Sequence, residues 1–397
     1  MIGIDVSMNK IKKIQIVNLV LIAISTVILF WINNLHGFTG FCKWNPQYKN
    51  IVSCLWAFDI LLLIIFIISI LHLKSKKVLK VFKWISISLS SLFCLGMVGL
   101  FIYFIIPTFS QPDEVYSITE VGKNNKLNEQ EPLLSLAVSS DPHWGSEKSN
   151  KDARDEILKN IGTLDYDAFL CLGDIAELGS TEAFYKEAAN DFNKYLNGTP
   201  LHVVLGNHDA LINGTGVFKK YFQKNYDNFY SRVDYDNLHI ITLDILWDAK
   251  EFDKKQKQWL IEQLEEIPSE DMTIVLSHCF GYSSGYLDSE TGMEWYDNQD
   301  VIEKVDSVIE EYNVELMISG HNHLMELLKH GNTYYGIIGA MGGHLDSQND
   351  YTSPQSIWLN NNTFGWLDIQ VYENSLELTY KDQTGKNLYK ATVSNNL

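Results

Sequence analysis

Arginine is almost absent from this chain of 397 residues, and its cysteines form no recognisable pattern. The two arginines, Arg154 and Arg232, are too few for an arginine cluster that would clamp a large anion. The five cysteines contain no CxxC pair and no spacing typical of a disulfide framework. Cys94, Cys171 and Cys279 lie within apolar runs, which favours buried thiols. Cysteine usage therefore does not assign the chain to a compartment.

Acidic residues are nearly missing from the first 106 residues, which hold ten lysines but only Asp5 and Asp59. The remaining residues hold 21 Lys plus Arg against 47 Asp plus Glu, a net charge of −26. Such an acidic domain would repel phosphate backbones, so no nucleic-acid partner is expected. The excess of acid is typical of a solvated surface.

Three apolar stretches, at about 14–32, 51–73 and 84–106, are long enough to cross a bilayer, which needs roughly 20 apolar residues. The first is too long for a signal peptide and lacks a small-residue cleavage site. We therefore expect three transmembrane helices in residues 1–106, with the lipid bilayer as a partner. A polar linker at 107–132 and a folded domain at 133–397 should follow.

The distribution of lysine predicts the orientation of these helices, because short cytoplasmic loops are enriched in positive charge. One side has eight lysines: Lys10, Lys12, Lys13, Lys74, Lys76, Lys77, Lys80 and Lys83. The other side has four: Lys43, Lys49, Lys123 and Lys126. The count predicts a cytoplasmic N terminus and an extracytoplasmic domain.

One acid, Asp59, lies within the second predicted span. An acid inside a membrane is a functional candidate. No basic residue lies in a neighbouring span, so a structural role, with Asp59 capped by serines of the third span, explains it equally well.

Short apolar runs alternate with helical patterns after residue 133, which is typical of an α/β domain. Asp253 and Gln256 resemble a capping box that begins a helix, and a second helix is predicted at 301–312. Strands are predicted at 134–138, 168–172, 202–205, 239–243, 273–277, 316–319, 334–338, 366–371 and 376–380.

Five predicted strands are followed by residue types that bind metals. Each motif alone is weak, because a DxH tripeptide or a lone histidine also arises from packing or hydrogen bonding. Strand ends meet at one edge of an α/β sheet, so the ordered set predicts a metal site there. In order, the motifs are Asp141-Pro-His143, Gly173-Asp174-Ile-Ala-Glu177, Gly206-Asn207-His208-Asp209, His278 and Gly320-His321-Asn322-His323.

This ordered set resembles the calcineurin-like metallophosphoesterase family, whose blocks are DxH, GDxx[DEN], GNH[DE], a histidine block and GHxH. The resemblance extends over about residues 134–380 and includes a QxxWL helix at 256–260. It implies an α/β fold, a four-layer α-β-β-α sandwich of two mixed sheets.

The resemblance also implies a phosphoesterase with two metal ions and a metal-bridging hydroxide. His208 would contact the phosphate or protonate the leaving group, and Asp209 would orient the ring of His208. Glu177 stands where the purple acid phosphatase branch has an iron-binding tyrosine, so a manganese, iron or zinc pair is expected, with manganese first. By resemblance, one ion is held by Asp141, His143 and His323, the other by Asn207, His278 and His321, and both by Asp174.

Three functions stay open from the sequence. The favoured one is hydrolysis of a phosphomonoester or phosphodiester outside the cytoplasm, with the anchor indicating either a lipid-linked or envelope-derived substrate or simple localisation. A cyclic-nucleotide or nucleotide phosphodiesterase would require a cytoplasmic domain. A non-catalytic metal-binding receptor or scaffold is disfavoured, because every ligand position is kept. Aromatic residues at 279–297 either line the site or pack their own loop: Tyr282, Tyr286, Trp295 and Tyr296.

Overall fold

The structure is a computed structural model, and it describes residues 2–70, 76–109, 132–222, 228–235, 237–289 and 291–395. The chain divides into two compact units, Met1–Phe109 and Ser110–Leu397. Most of the linker predicted at 107–132 lies outside the described residues.

The first unit consists of helices. They are α1 (Ile2–Asn33), α2 (Phe38–Trp44), α3 (Pro46–Ile70), α4 (Lys76–Ile105) and a 3-10 turn (Ile106–Phe109). Three segments are long and apolar enough to cross a membrane: Lys13–Asn33, Pro46–Ile70 and Val78–Phe109, with mean hydropathies of 2.3, 2.8 and 2.3. The three predicted apolar helices are therefore confirmed.

Asp59 is buried inside this helical unit, and the structure corrects its predicted partner. Its Oδ2 lies 2.7 Å from Oγ1 of Thr26, which belongs to α1. Its Oδ1 is buried with no hydrogen-bond partner among the described residues. Ser86, a serine of the third span, instead accepts a hydrogen bond from the side chain of Asn18 in α1. The side chain that caps Asp59 thus belongs to the first span, because α3 packs against α1 at Thr26.

Within its described residues, the second unit holds two large sheets and a short hairpin. The strands are β1 (Leu134–Ser139), β2 (Ala168–Cys171), β3 (Leu201–Val203), β4 (Ser231–Tyr235), β5 (Leu238–Thr242), β6 (Met272–Ser277), β7 (Tyr286–Leu287), β8 (Glu294–Trp295), β9 (Leu316–Ser319), β10 (Met325–His330), β11 (Thr333–Ile338), β12 (Ser356–Asn360), β13 (Gly365–Tyr372), β14 (Ser375–Asp382) and β15 (Asn387–Ser394). The six-stranded sheet has the order β15-β14-β13-β1-β2-β3, and the seven-stranded sheet has the order β12-β10-β11-β9-β6-β5-β4. Both sheets are mixed, because β1-β2-β3 and β5-β6-β9-β11 run parallel while the flanking strands are antiparallel.

The sheets pack face to face, with helices on the outside. Leu136 of β1 and Ile274 of β6 belong to one fully buried cluster between the sheets. Leu260 of α9 packs with Val275 on the outer face of the seven-stranded sheet. The ring centroid of Phe192 in α6 lies 6.4 Å from that of Phe169 on the outer face of the six-stranded sheet. The helices are α5 (Lys151–Thr163), α6 (Glu182–Tyr195), α7 (Asn207–Ala210), α8 (Thr215–Phe222), α9 (Lys254–Glu266), α10 (Gln299–Val301) and α11 (Ser307–Glu311), with a 3-10 turn at Leu211–Asn213 and a π-helical turn at Ile302–Asp306. The predicted α-β-β-α sandwich is confirmed.

The start of α9 differs from the predicted capping box. Oδ1 of Asp253 accepts a hydrogen bond from the backbone N–H of Gln256, as predicted. The side chain of Gln256 does not return to the N-cap; its Oε1 accepts from the backbone N–H of Asp244 at 2.8 Å. Because Gln256 is buried, its amide joins α9 to the segment after β5 instead.

Candidate metal centre

The loops after β1, β2, β3, β6 and β9 bring the five sequence motifs together. Within them, four residues adopt left-handed backbone conformations: Asp141 (φ 61°), His143 (φ 47°), Asp174 (φ 52°) and His321 (φ 69°). This region is sparsely populated for residues other than glycine and clusters at functional sites. The backbone is therefore held in unusual conformations at the positions that the motifs single out.

Glycine is required in these loops because the chains approach closely. A Cβ atom on Gly206 would lie 2.0 Å from the backbone nitrogen of Asp174. A Cβ atom on Gly320 would lie 2.5 Å from Oδ2 of Asp141. Any side chain at these two positions would push the acidic residues out of place.

The first cluster consists of Asp141, His143 and His323. The Nε2 atoms of the two histidines lie 3.1 Å apart, and Oδ1 of Asp141 lies 3.4 Å from Nε2 of His323. Nδ1 of His143 faces Oε2 of Glu177 at 2.9 Å, and Nδ1 of His323 faces the carbonyl oxygen of His344 at 2.7 Å. Each Nδ1 therefore carries a hydrogen, so the two Nε2 atoms, which face each other, are the nitrogens that can bind a cation.

Oδ1 of Asp141 adds a third electron-rich atom to this cluster. It is buried and has no hydrogen-bond partner among the described residues. A buried carboxylate oxygen without a donor is unfavourable unless a cation satisfies it. Two imidazole nitrogens and this oxygen fit a divalent ion.

The second cluster consists of Asn207, His278 and His321. Oδ1 of Asn207 lies 2.6 Å from Nε2 of His278 and 2.8 Å from Nδ1 of His321. Nδ1 of His278 donates to the carbonyl oxygen of Leu172 at 2.8 Å, so its Nε2 is the nitrogen that can bind a cation. This Nε2 and the amide oxygen of Asn207 face each other, as ligands of a second cation would.

Asp174 lies between the two clusters. Its Oδ2 is 3.6 Å from Nε2 of His143, and its Oδ1 is 3.4 Å from Nε2 of His278. Oδ1 also accepts a hydrogen bond from the backbone N–H of His208 at 2.8 Å. One carboxylate therefore contacts a histidine of each cluster. Two sets within this group could each hold an ion: Asp141, His143 and His323, and Asp141, Asp174 and His278.

Residues 134–325 match the family described as calcineurin-like phosphoesterase. These residues form a calcineurin-like phosphoesterase domain. Two divalent ions are characteristic of this family, and the paired clusters suit that number. This match and the candidate metal clusters support a binuclear metal-dependent hydrolase for the domain. Three apolar helices lie near the N terminus of the same chain.

Solved structures share the fold of this phosphoesterase domain. Purple acid phosphatase PPD1 from yellow lupin seeds superposes with a TM-score of 0.56 at 14% identity, over 67% of this chain and 54% of the lupin chain. This chain thus spans about half the length of that relative. GAP50, described as the anchor in the inner membrane complex of Plasmodium, superposes with a TM-score of 0.51 at 16% identity, over 66% of this chain and 90% of the GAP50 chain. PhoD superposes with a TM-score of 0.50 at 12% identity, over 66% of this chain and 68% of the PhoD chain. A comparison with curated proteins found no match.

The carboxylates of this site raise the pKa values of two of its histidines. Burial alone would lower the pKa of His143, but the neighbouring carboxylates of Asp141, Glu177 and Asp174 raise it to about 10. Burial likewise opposes protonation of His278, yet the charge and hydrogen bond of Asp174 raise its pKa to about 9. Burial disfavours the ionised carboxylates, but the same contacts hold the pKa values of Asp141 and Asp174 below the ordinary value.

These pKa values predict that metal binding strengthens as the pH rises. At pH 7 the metal-free histidines lie below their pKa values of about 10 and 9 and are protonated, so an ion must displace those protons. We expect the affinity for Mn²⁺ to rise by up to about tenfold per pH unit for each displaced proton, and to level off above pH 9–10. Calorimetric titration in buffers of different ionisation enthalpy measures the proton release. Binding without proton release at pH 7 would contradict this prediction.

The ring of His208 lies at the edge of the site. Its side chain is 28% exposed, and its centroid is 4.7 Å from that of His143. Nδ1 lies 2.8 Å from the carbonyl oxygen of Glu177 and donates a hydrogen bond to it. The ring is therefore oriented by Glu177, and its Nε2 is the nitrogen available for proton transfer.

Asp209 makes different contacts from those the sequence predicted. Its carboxylate accepts hydrogen bonds from the backbone N–H groups of Ile175, Ala176 and Gly206 and from the hydroxyl of Tyr185. None of its described contacts reaches the ring of His208. The predicted orienting role is thus wrong, because Asp209 turns back into the protein and ties the Asp174 loop to the Asn207 loop.

These contacts of the Asp209 carboxylate determine the expected effect of Asp209→Asn. An amide NH₂ in place of one oxygen would face backbone N–H donors, which should cost about 1–3 kcal/mol for each hydrogen bond lost. We expect lower metal content, a lower unfolding temperature and equal loss of activity on aryl and alkyl esters. Tyr185→Phe removes one donor and should give a smaller effect of the same kind. A loss confined to alkyl esters, with metals retained, would restore the orienting role.

A further segment, His344 to Asp346, belongs to the site, although none of the sequence motifs includes it. Oδ2 of Asp346 accepts a hydrogen bond from the backbone N–H of His323 at 2.8 Å, while the carbonyl of His344 orients that ring. A Cβ atom on Gly343 would lie 2.9 Å from atoms of His143 and His323. The available signal was a Gly-Gly-His-Leu-Asp run a few residues after the predicted strand at 334–338.

The predicted aromatic group divides into two pairs. Tyr282 packs against Tyr335, and Tyr296 stacks on Tyr351, so these two rings hold the loop itself. The other two lie beside the second cluster: the Trp295 ring is 5.3 Å from that of His321, and Tyr286 stacks on Trp295.

Asn322 attaches this aromatic hairpin to the GHNH motif. Its Nδ2 lies within hydrogen-bond distance of Oγ of Ser283 and of the carbonyl oxygens of Ser284 and Trp295. Because Asn322 stands between the two histidines, the hairpin is fixed relative to both clusters. This residue separates the ligand histidines in sequence and also positions Trp295.

Neither arginine has a described contact with a ligand side chain. Arg154 donates to the carbonyl oxygen of Pro142 and lies 4.2 Å over the ring of Trp144, which supports the Asp141–His143 loop. Arg232 pairs with Asp234 at 2.7 Å on β4.

Proposed function

We propose that this protein is a membrane-anchored phosphoesterase that hydrolyses a phosphomonoester or phosphodiester outside the cytoplasm. The observation that carries the two-metal part of this proposal is Asp174, whose carboxylate contacts His143 and His278 in separate clusters. In the assignment we propose, one ion is held by Asp141, His143 and His323, the other by Asn207, His278 and His321, and both by Asp174.

The two ions would supply Lewis-acid chemistry, generating the nucleophile from water and neutralising charge on the phosphoryl oxygens. The chain's own part begins with the Nδ1–H hydrogen bonds of His143, His278 and His323, which fix each ring with Nε2 turned inward. His208 is fixed in the same way by Glu177, and a proton on its Nε2 can pass to the leaving oxygen.

The donor set favours manganese, iron or zinc. Carboxylate oxygens, neutral imidazoles and one amide oxygen form a mixture that suits these ions. Glu177 contacts His143 through Oε2 and supplies a carboxylate where an iron-binding tyrosine would be needed. We propose a manganese pair first.

The substrate class can be tested with the full chain in detergent, supplied in turn with Mn²⁺, Fe²⁺ and Zn²⁺. The panel contains p-nitrophenyl phosphate, bis(p-nitrophenyl) phosphate, an alkyl phosphate, a cyclic nucleotide and a lipid phosphate. Metal-dependent turnover of a nitrophenyl, alkyl or lipid ester supports the proposal. Activity confined to the cyclic nucleotide favours the intracellular alternative, and metal binding without turnover favours the receptor or scaffold.

The orientation of the domain is a separate prediction. The excess of lysine on one side of the predicted spans supports a cytoplasmic N terminus, and hence an odd number of crossings before the domain. A reporter that is active only outside the cytoplasm, fused after residue 397, should be active. Activity of a cytoplasm-only reporter at the same position would overturn this orientation.

A further inference from the structure

We propose that Tyr286 and Trp295, on the hairpin of β7 and β8, select a phosphoester whose organic group carries a planar aromatic ring. This inference rests on the proposed hydrolysis, and it names the kind of organic group that the ester carries. The two residues determine specificity by contacting that group, and they take no part in the reaction at phosphorus.

The hairpin places Trp295 beside the second metal cluster. The centroid of its ring lies 5.3 Å from that of His321, with 33° between the two planes. The ring of Trp247 meets both rings edge-on, at 5.7 Å from His321 and 6.4 Å from Trp295. A phosphate bound to an ion at this cluster therefore has aromatic side chains next to its ester group.

Tyr286 extends this aromatic surface. It is paired with Trp295 across the hairpin, so the two side chains lie on the same face. Their rings stack, with centroids 6.3 Å apart and 16° between the planes. The described residues place no second ring against Tyr286, whose side chain is only half-buried. A ring that is stacked on one face and partly exposed can stack a further planar ring.

The surroundings of Tyr286 also connect it to the first cluster. Burial raises the pKa of its hydroxyl, and the charge of Asp346 raises the pKa further. Asp346 is the carboxylate that accepts a hydrogen bond from the backbone of His323. Tyr286 is therefore close to the segment that supports His323 as well as to Trp295, and its phenol is neutral at physiological pH.

The base of the hairpin is held in place by buried contacts. The backbone N–H of Ser284 donates to Oε2 of Glu326 at 2.7 Å, and Glu326 is fully buried. Gly285 and Tyr351 exchange two backbone hydrogen bonds of 2.9 and 3.0 Å. A Cβ atom on Gly285 would collide with the carbonyl oxygen of Trp295, so the chain is closely packed there. A surface that is already ordered binds a ligand without the cost of ordering its own side chains.

The composition of this surface favours a planar ring over a saturated one. Trp247, Trp295 and Tyr286 are all aromatic, and the last two are nearly parallel. Any apolar group would gain from leaving water at such a surface. Only a planar aromatic group also gains from stacking on the ring face. The structure thus points to an aryl-bearing phosphoester.

The test compares two phosphonates, 2-phenylethylphosphonate and 2-cyclohexylethylphosphonate, which resemble phosphomonoesters but cannot be hydrolysed. They share their charge and linker and differ in the planarity of the ring. Calorimetric titration of the full chain in detergent, supplied with Mn²⁺, measures the Kd of each compound. We expect the phenyl compound to bind about tenfold more tightly.

Substitutions on the hairpin locate the preference. Tyr286→Leu keeps an apolar side chain but removes the planar ring, so it should abolish the preference. Tyr286→Phe keeps the ring without its hydroxyl and should retain the preference. The matched control is Leu287→Ala, which should also retain it. Leu287 is 50% exposed and, as the next residue of β7, points to the opposite face of the hairpin.

Four results would each overturn the proposal: no binding of the phenyl compound, equal or tighter binding of the cyclohexyl compound, a preference that survives Tyr286→Leu, or a preference that Leu287→Ala abolishes. Hydrolysis of 2-phenylethyl phosphate and 2-cyclohexylethyl phosphate is measured separately, and kcat/KM should show the same preference. If neither ester were hydrolysed while the phosphonate preference remained, the proposed hydrolysis would be wrong and the ring-selective site would be supported.

Discussion

Replacing Asp174 with asparagine should remove metal from the site and lower phosphoesterase activity by about three orders of magnitude or more, equivalent to roughly 4 kcal/mol of transition-state stabilisation. Asp174 contacts a histidine of each cluster, so the loss of its charge affects both proposed ions. Asparagine has the same size and tolerates the left-handed backbone found at this position (φ 52°). The change should therefore remove charge while leaving the fold in place. Metal content per chain and kcat/KM are the measurements.

Asp165→Asn is the matched control for this change. Asp165 also has a left-handed backbone, with φ 56°, but it is exposed on the turn between α5 and β2. The same chemical change there should leave metal content and activity unaltered. If Asp174→Asn retained two ions and full activity, the assignment of the site would be wrong.

Replacing His208 with alanine should slow hydrolysis in a way that depends on the leaving group. A nitrophenolate departs without a proton, whereas an alkoxide needs one, and general acid catalysis is worth about 10²–10⁴-fold. The exposed ring of His208, with Nδ1 fixed by the carbonyl of Glu177, can offer that proton from Nε2. We expect a loss of about 10²-fold or more on an alkyl phosphate and a much smaller loss on a nitrophenyl ester.

His330→Ala is a suitable comparison, because His330 is a partly exposed histidine that pairs with Glu310 on the second sheet. This substitution should not change the ratio of the hydrolysis rates on the alkyl phosphate and the nitrophenyl ester. Equal losses on both substrates for His208→Ala would show that His208 stabilises charge on the phosphoryl oxygens. That outcome would remove the acid assignment and leave the proposed metal centre intact.

The sequence predicted an α/β domain and the meeting of the motifs because both depend on patterns that are local in the chain, whereas the sandwich was implied by the family resemblance. The strands that precede the motifs, such as Leu134–Ser139 and Leu316–Ser319, are apolar runs followed by polar ligands. The strands that escaped prediction include β4, whose residues Ser231–Tyr235 are largely half-exposed at a sheet edge. The run is short and none of its side chains is fully buried, so it is pairing with β5 that forms the strand.

Contacts between distant segments could not be predicted in the same way. The sequence places Asp209 beside His208, but nothing in it shows that four donors from three other places in the chain surround the carboxylate. Asp346 is similar, because it reaches the backbone of His323 only through the return of the chain after β11. Asp59 found its partner in Thr26 for the same reason. Residue type predicted the chemistry of each position, and tertiary packing decided its partner.

Anomalous diffraction from crystals of the full chain grown with Mn²⁺ would locate both proposed ions. We expect two manganese peaks per chain, one among Asp141, His143 and His323 and the other among Asn207, His278 and His321, with the carboxylate of Asp174 in contact with both. A single peak, or two peaks that do not share Asp174, would contradict this assignment.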